Sequence, residues 1–228
     1  RSGPFEARAS RERLGMRAPH LSLRARASWC AHLWKAATQQ HHRAYRPLFA
    51  RHVPRDAVVC DVGAHAGQFA KLFARLAPAG RVYAFEPGTY ALSILRRVVA
   101  LHRLRNVEIC PFGLGDRASI ATLSTPLKRS GSMGFGLAHI GAEARDSVAQ
   151  EVRLTTLDAF AAERGLTRLD FIKADIEGWE LRMLTGAAAS IARFRPALLI
   201  EIQAAHLARA GDTAAAVWSY FAGLGYGG

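Results

Sequence analysis

Short apolar runs bounded by turn residues alternate along the 228-residue chain with longer stretches in which apolar positions recur every three to four residues. After Arg55 the alternation is regular. Val58 to Asp61, Val82 to Glu86 and Val107 to Phe112 read as strands, with helices over Gly67 to Leu76 and Thr89 to Leu101 between them. Asp170 to Ala174 and Ala197 to Ile202 read as two more strands, with a helix from Ile176 to about Ala188 between them and another around Thr213 to Ala222. Parallel neighbours need a crossover, and crossover helices cover both faces of the sheet. The pattern therefore predicts an α/β domain with a doubly wound, mostly parallel sheet. Residues 118–125 and 150–155 read as strands flanking the polar, glycine-rich stretch from Pro126 to Gly141, so a variable substrate loop is expected over about 117–150.

Before the domain the pattern changes twice. Residues 1–27 mix Arg with Ala, Ser, Gly and Pro without sustained period and read as a basic, flexible leader. From Ser28 to Phe49, Trp29, Leu33, Trp34 and Ala37 recur near helical spacing, which makes residues 28–55 an amphipathic helical region packing on the main domain, residues 56–228. Covering the ligand cleft, or touching an anionic membrane surface, are the functional alternatives for that helix.

Half of the residues are hydrophobic, enough for a core of normal size without disulfides or metals. Cys30, Cys60 and Cys110 make an odd count without zinc-type spacing, and two of them fall inside apolar strand patterns. A reducing, cytoplasmic setting is the expectation. The net charge of +13 is concentrated at the start: the first 50 residues carry ten Lys or Arg against Glu6 and Glu12. Without a recognition motif or an aromatic stacking pattern, no specific nucleic-acid partner is expected. No apolar stretch is long enough to span a bilayer and no signal peptide is recognisable, but the chain opens on Arg1 rather than methionine, so a fragment that has lost a targeting segment is allowed for.

The chemistry begins at VVCDVGAHAG, residues 58–67, where an apolar strand runs into an acid and a glycine turn and then a helix. Glycine lets a backbone approach a ligand closely, and the helix start offers unpaired N–H groups. Gly63 and Gly67 line the turn, Ala64 and Ala66 keep it narrow, and Asp61 is expected to end the strand facing the crevice; an ordinary turn with Asp61 as a helix cap is the plainer alternative. The second strand, RVYAFEP, ends in Glu86 before Pro87. An acid there sits where a ribose lies in doubly wound sheets, so a nucleoside ligand is predicted. Both a nicotinamide dinucleotide and S-adenosylmethionine satisfy this. Alanine stands where a dinucleotide turn has its second glycine, so no pyrophosphate is expected.

RLDFIKADIEGWE at 168–180 adds a third block. With VVCDVGAHAG, FEP, GLGD at 113–116, LTTLDAF at 154–160 and LLIEIQ at 198–203, the chain from about residue 56 to about 203 resembles the FkbM-type family of S-adenosylmethionine-dependent methyltransferases, with six blocks in the family's order. The resemblance implies the class I methyltransferase, Rossmann-like fold and, usually, methylation of a hydroxyl on a sugar, a lipid-linked glycan or a secondary metabolite. It also implies a closing C-terminal antiparallel hairpin, which this chain ends too early to contain, so strand five is expected as an exposed edge. The implied cofactor contacts are Asp61 for the methionine part, Gly63, Ala64 and Gly67 at the turn, Glu86 and Pro87 at the ribose, Gly115 and Asp116 at the adenine, and Asp175.

Methyl transfer to oxygen needs a group that takes the hydroxyl proton as the bond forms. Asp175, Glu177 and His65 are the candidates, with His139 a further histidine; the plainer roles are a cap of a helix from Ile176 for Asp175 and a first-turn charge for Glu177. Glu201, at the end of strand five, could orient the acceptor or join Asp175 and Glu177 on a cation, but the spacing is not diagnostic and no obligate metal is expected. Lys128 and Arg129 are candidates for an anionic acceptor, with a solvated loop the plainer role; Asp158 for capping or starting the helix over 157–164; and Trp179 and Trp218 for core packing, with Trp179 close enough to Asp175 in sequence to wall the cleft instead. A nicotinamide-dependent oxidoreductase and a non-enzymatic scaffold using the basic arm are the alternative functions.

Overall fold

The computed structural model describes residues 23–40, 42–126, 138–141 and 147–226. Its centre is a five-stranded, fully parallel sheet: β1 (Val58–Val62), β2 (Arg81–Phe85), β3 (Val107–Cys110), β8 (Phe171–Ala174) and β9 (Ala197–Ile200) lie in the order β3-β2-β1-β8-β9. The order reverses between β1 and β8, which is where such sheets open a crevice at the strands' carboxyl ends. Side chains alternate between the faces as period two demands. Val59, Val82, Ala84 and Phe171 pack on one side against Phe49 of α2 (Arg46–His52), Phe73 of α3 (Gln68–Leu76) and Leu95 of α4 (Thr89–Leu101). Cys60, Tyr83, Phe85 and Ile172 face the other side and meet Phe160 of α5 (Leu157–Glu163), Leu184 of α6 (Glu180–Thr185), Ile191 of α7 (Ala188–Phe194), Leu207 of α8 (Ala204–Ala210) and Val217 of α9 (Ala214–Gly223).

A second, four-stranded sheet stands beside the first. Its strands β4 (Gly113–Leu114), β5 (Ser119–Pro126), β6 (His139–Ile140) and β7 (Ser147–Thr155) lie in the order β4-β7-β5-β6. β5 and β7 pair antiparallel from Ser119–Leu154 to Pro126–Ser147, so the two strands anticipated around the variable loop form a long ribbon. Lys128 and Arg129 lie outside the described residues.

Several local expectations differ. The segment read as one helix from Ile176 to about Ala188 is a turn followed by α6 and α7, because Glu177 and Gly178 take left-handed φ values of 58° and 107° that a helix cannot contain. Asp175 accordingly caps no helix at Ile176. Asp158 lies in α5, but Thr156 caps that helix by accepting from Ala159 N at 3.0 Å. Asp158 instead accepts from Ala189 N and Ser190 N at 3.0 and 2.7 Å, capping α7 from a distance. The amphipathic N-terminal region is broken into α1 (Leu23–Thr38), a 3-10 turn (Arg43–Tyr45) and α2, which has a proline in its first turn. α8 falls where no helix was read.

α1 is fastened by its carbonyl end. Lys71, 1% exposed, sends its ammonium to the carbonyls of Ala36, Ala37 and Gln39 at 2.8, 3.3 and 2.9 Å. His102 Nε2 lies 2.9 Å from Ala37 O, and Trp29 Nε1 donates to Ser93 Oγ at 2.8 Å. Cations at a helix C-terminus satisfy its last carbonyls and its dipole together. Packing on the core, the plainer expectation for this helix, is what α1 does. Cys60 and Cys110 are buried free thiols, and no described helix is long and apolar enough to cross a membrane.

Candidate functional site

The strands' carboxyl ends at the β1/β8 reversal surround a cavity of about 390 Å³, within the range of small-ligand sites, about 300–1,000 Å³. Its floor is the β1 turn. Gly63, at φ 72°, could not carry a side chain there: a Cβ would lie 2.1 Å from the Asp175 carbonyl oxygen, so this glycine lets the turns after β1 and β8 touch. Gly63 N and Ala64 N donate to Phe85 O at 3.1 and 2.9 Å, which ties the turn to the end of β2.

Glu86 follows directly. Its two oxygens accept from His65 N and Gly88 N, each at 2.8 Å, so the carboxylate braces both the β1 turn and the start of α4 while lining the cavity. Burial pushes its pKa up to about 7 against the pull of those two donors. Glu86 thus has two structural partners, and each oxygen keeps a lone pair for a ligand hydroxyl.

Asp61 does not end β1. It sits one residue inside the strand, fully buried, off the cavity surface, and Val62 occupies the end. Its partner is Lys173, whose ammonium is 3.4 Å away, 3.9 Å from Asp175, and donates to the carbonyls of Val62 and Gly63 at 3.1 and 2.8 Å. Burial raises the Asp61 pKa and the lysine charge lowers it. Nor does Asp61 cap α3, whose N-cap is Gly67 without a side-chain bond. Lys173 itself was read only as part of a strand end; a lysine inside a continuous apolar run was the available signal.

Asp175, Glu177 and Glu201 all line the cavity, as do Gly63, Ala64, His65, Glu86 and Pro87. Gly67, Gly115 and Asp116 do not; Asp116 points to Arg117, 3.4 Å away, and Gly115 makes room for the Trp179 indole behind the wall. Trp179, for which core packing and walling the cleft were the two readings, is part of that wall, with the Arg182 guanidinium 4.6 Å from its ring centre. His139 lies in β6 and is not part of the lining. Further lining comes from His42, in the 28–55 region, and Phe69, stacked with ring centres 4.1 Å apart, and from Leu123, Ala138 and Ile140 of the second sheet, all within the 117–150 stretch read as the substrate loop; of these Phe69 was not anticipated.

The β8 turn that carries Glu177 is held on three sides. Glu180, 2% exposed, accepts from Ile176 N at 2.9 Å; Arg209 donates to Glu177 O at 3.2 Å; and Gly178 at φ 107° lies so close to α8 that a Cβ would come within 2.1 Å of His206 O. His206 Nδ1 thereby reaches 2.9 Å from Glu177 Oε2. Burial first and the Asp175 charge second push both Glu177 and Glu201 up to about 7, while burial lowers His206. Among the described residues, the side chains whose ligand atoms come within 4.8 Å of one another are Glu177, Glu201 and His206, rather than Asp175, Glu177 and Glu201. His206 lies in an alanine-rich segment with no motif to announce it.

A parallel doubly wound sheet, an acid after β2 and a tight glycine turn at the order reversal together define a class I methyltransferase-like α/β domain. The chain belongs to the methyltransferase FkbM domain family, whose model matches residues 61–227. It is 27% identical over 173 residues to methyltransferase sdnD of Sordaria araneosa, covering 62% of this chain and 67% of that protein. It is 30% identical over 197 residues to AMB antimetabolite synthetase AmbE of Pseudomonas aeruginosa, covering 71% of this chain but 9% of the synthetase. Methyltransferase 1 of Beauveria bassiana is 26% identical, and the chain spans 59% of its length. Among solved structures, methyltransferase FkbM from Methylobacillus flagellatus KT superposes with a TM-score of 0.51 at 20% identity, covering 74% of this chain and 38% of that one.

Proposed function

We propose that this domain binds S-adenosylmethionine and transfers its methyl group to a hydroxyl oxygen of a small molecule, sugar or glycan, in a cytoplasmic setting where Cys60 and Cys110 stay reduced. The observation that carries this reading is the convergence of Glu86 with Asp175, Glu177 and Glu201 on one cavity. Glu86 supplies ribose acceptors, the Gly63–Ala64 turn gives a narrow backbone floor, and Phe85, Leu114, Leu123 and Trp179 offer apolar walls for a base. An excess of carboxylates suits a ligand that carries a positive sulfonium. Family membership and the names of sdnD and Methyltransferase 1 agree with methyl transfer, and the AmbE name agrees with a secondary-metabolite setting.

When bound, the cofactor supplies an electrophilic methyl group whose displacement neutralises the sulfonium. The protein's share is alignment and proton removal. Asp175 orients the acceptor hydroxyl, and Glu177 or Glu201, with pKa values pushed up to about 7, takes its proton near neutral pH; His65 is the alternative base. Lys173 neutralises Asp61 and stiffens the floor.

Calorimetric titration with S-adenosylhomocysteine tests this directly. Micromolar binding by the wild type, lost in Glu86→Ala, with none to NADH, is expected; binding of NADH alone by a folded chain would overturn the cofactor assignment and favour an oxidoreductase.

A further inference from the structure

We infer that Glu177, Glu201 and His206 form a site for one divalent transition-metal cation at the margin of the cavity. One oxygen from each glutamate and one imidazole nitrogen lie within 4.8 Å of one another, close enough to share a single ion. Glu177 Oε2 and His206 Nδ1 are shielded from solvent and stand 2.9 Å apart, yet they are not aligned as a hydrogen bond. Two lone-pair atoms brought that close repel unless a proton or a cation lies between them. Asp175 adds a third carboxylate nearby, against which the described cations in ion-pair range are Arg209, 3.7 Å from Glu177, and Lys173, 3.9 Å from Asp175.

The donor set selects the ion. A mixed imidazole and carboxylate site suits Mn²⁺, Fe²⁺ or Zn²⁺ better than Mg²⁺ or Ca²⁺, which prefer oxygen throughout. Glu177 and Glu201 line the cavity, so the remaining coordination positions open toward the acceptor. The site stands on these atoms alone; its role rests on the proposed O-methylation. With a cation in place, Glu177 and Glu201 serve as its ligands and the base role passes from them to Asp175. The cation would lower the pKa of an acceptor hydroxyl, whose proton passes to Asp175 as the oxygen–carbon bond forms and the carbon–sulfur pair returns to sulfur.

The test is a Mn²⁺ titration of the chelator-treated, metal-free chain, followed by the electron paramagnetic resonance signal of free Mn²⁺, with S-adenosylhomocysteine calorimetry on the same samples. One equivalent bound, at least tenfold more weakly in Glu201→Gln and in His206→Ala but not in Asp56→Asn, with nitrogen hyperfine coupling that His206→Ala abolishes, is the expected result. Absence of saturable binding by a folded wild type, with loss of stability in His206→Ala, would mean a structural ion pair only and overturn the site. Binding unchanged in both variants would place the ion elsewhere and overturn it equally. Mn²⁺ binding without cofactor binding would instead count against the methyl-transfer reading and leave the metal site standing.

Discussion

Asp61 and Lys173 are register partners on adjacent parallel strands, and their charges meet at 3.4 Å with both side chains almost wholly buried. Residues 59 and 61 of β1 share a face with 171 and 173 of β8, so the ion pair extends the row begun by Val59 and Phe171. The ammonium then reaches the carbonyls of Val62 and Gly63, and in this way a charge pair in the sheet fixes the shape of the turn above it.

Lys173→Met should therefore cost about 3–5 kcal/mol, because it strands a buried carboxylate. The double variant Asp61→Asn with Lys173→Met should recover part of that loss. Urea unfolding of the two single variants and the pair measures it; strict additivity would show that the charges do not act together.

Glu86→Ala should lower stability by about 1–3 kcal/mol, since His65 N–H and Gly88 N–H lose their acceptor, as well as abolishing nucleoside binding. Glu86→Gln keeps one acceptor oxygen and should lie between. Chemical denaturation beside calorimetry separates the structural from the ligand effect.

Between pH 4.5 and about 7 the native Glu86 holds a proton that the unfolded chain has released. Its contribution to stability is thus complete below the unfolded value and lost as pH rises through the folded one. Glu177 and Glu201 shift in the same direction, and His206, lowered, opposes them weakly. The melting temperature should fall from pH 5 to pH 7.5, with a smaller slope in Glu86→Gln. An unchanged slope would show that Glu86 titrates near its ordinary value.

Gly63→Ala should disrupt stability and cofactor binding together, by about 2 kcal/mol or more, since both the left-handed φ and the Asp175 carbonyl exclude a side chain. Thermal melting with and without S-adenosylhomocysteine reads both.

Lys71→Met should loosen α1 without abolishing the parallel sheet. Protease cleavage between Thr38 and Arg46 should speed up at least tenfold, because three carbonyls lose a charged donor. Mass mapping of the first cut would check the site.

The alternation after Arg55 was legible because each strand and each crossover helix buries a face of its own period: Thr89–Leu101 emerges with the limits its apolar spacing predicts. Asp175 and Glu201 were legible as strand-end carboxylates and Glu177 as a charge just beyond the strand, and all three line the cavity. What periodicity could not reveal was tertiary. The turn at 176–179 is set by Gly178 abutting α8, and His206 matters through a contact with Glu177, 29 positions earlier, that no local spacing encodes. Asp158 carried a helix-start signal, but the helix it caps is α7 rather than its own. Lys173 hid in plain view because strand patterns classify positions as inside or outside and assign no partner to an inside charge.

The second sheet gives the cavity two independently built halves. Leu123, Ala138 and Ile140 come from the second sheet, which among the described residues shares no strand pairing with the parallel sheet, whereas Gly63, Glu86 and Asp175 stand on the parallel sheet. Substitutions in the second sheet can reshape the cavity across from Glu86 while leaving the five-strand register untouched. A library confined to the lining positions of β5 and β6 would explore acceptor choice at little risk to folding, and the domain is in this sense a fixed chuck with an exchangeable jaw.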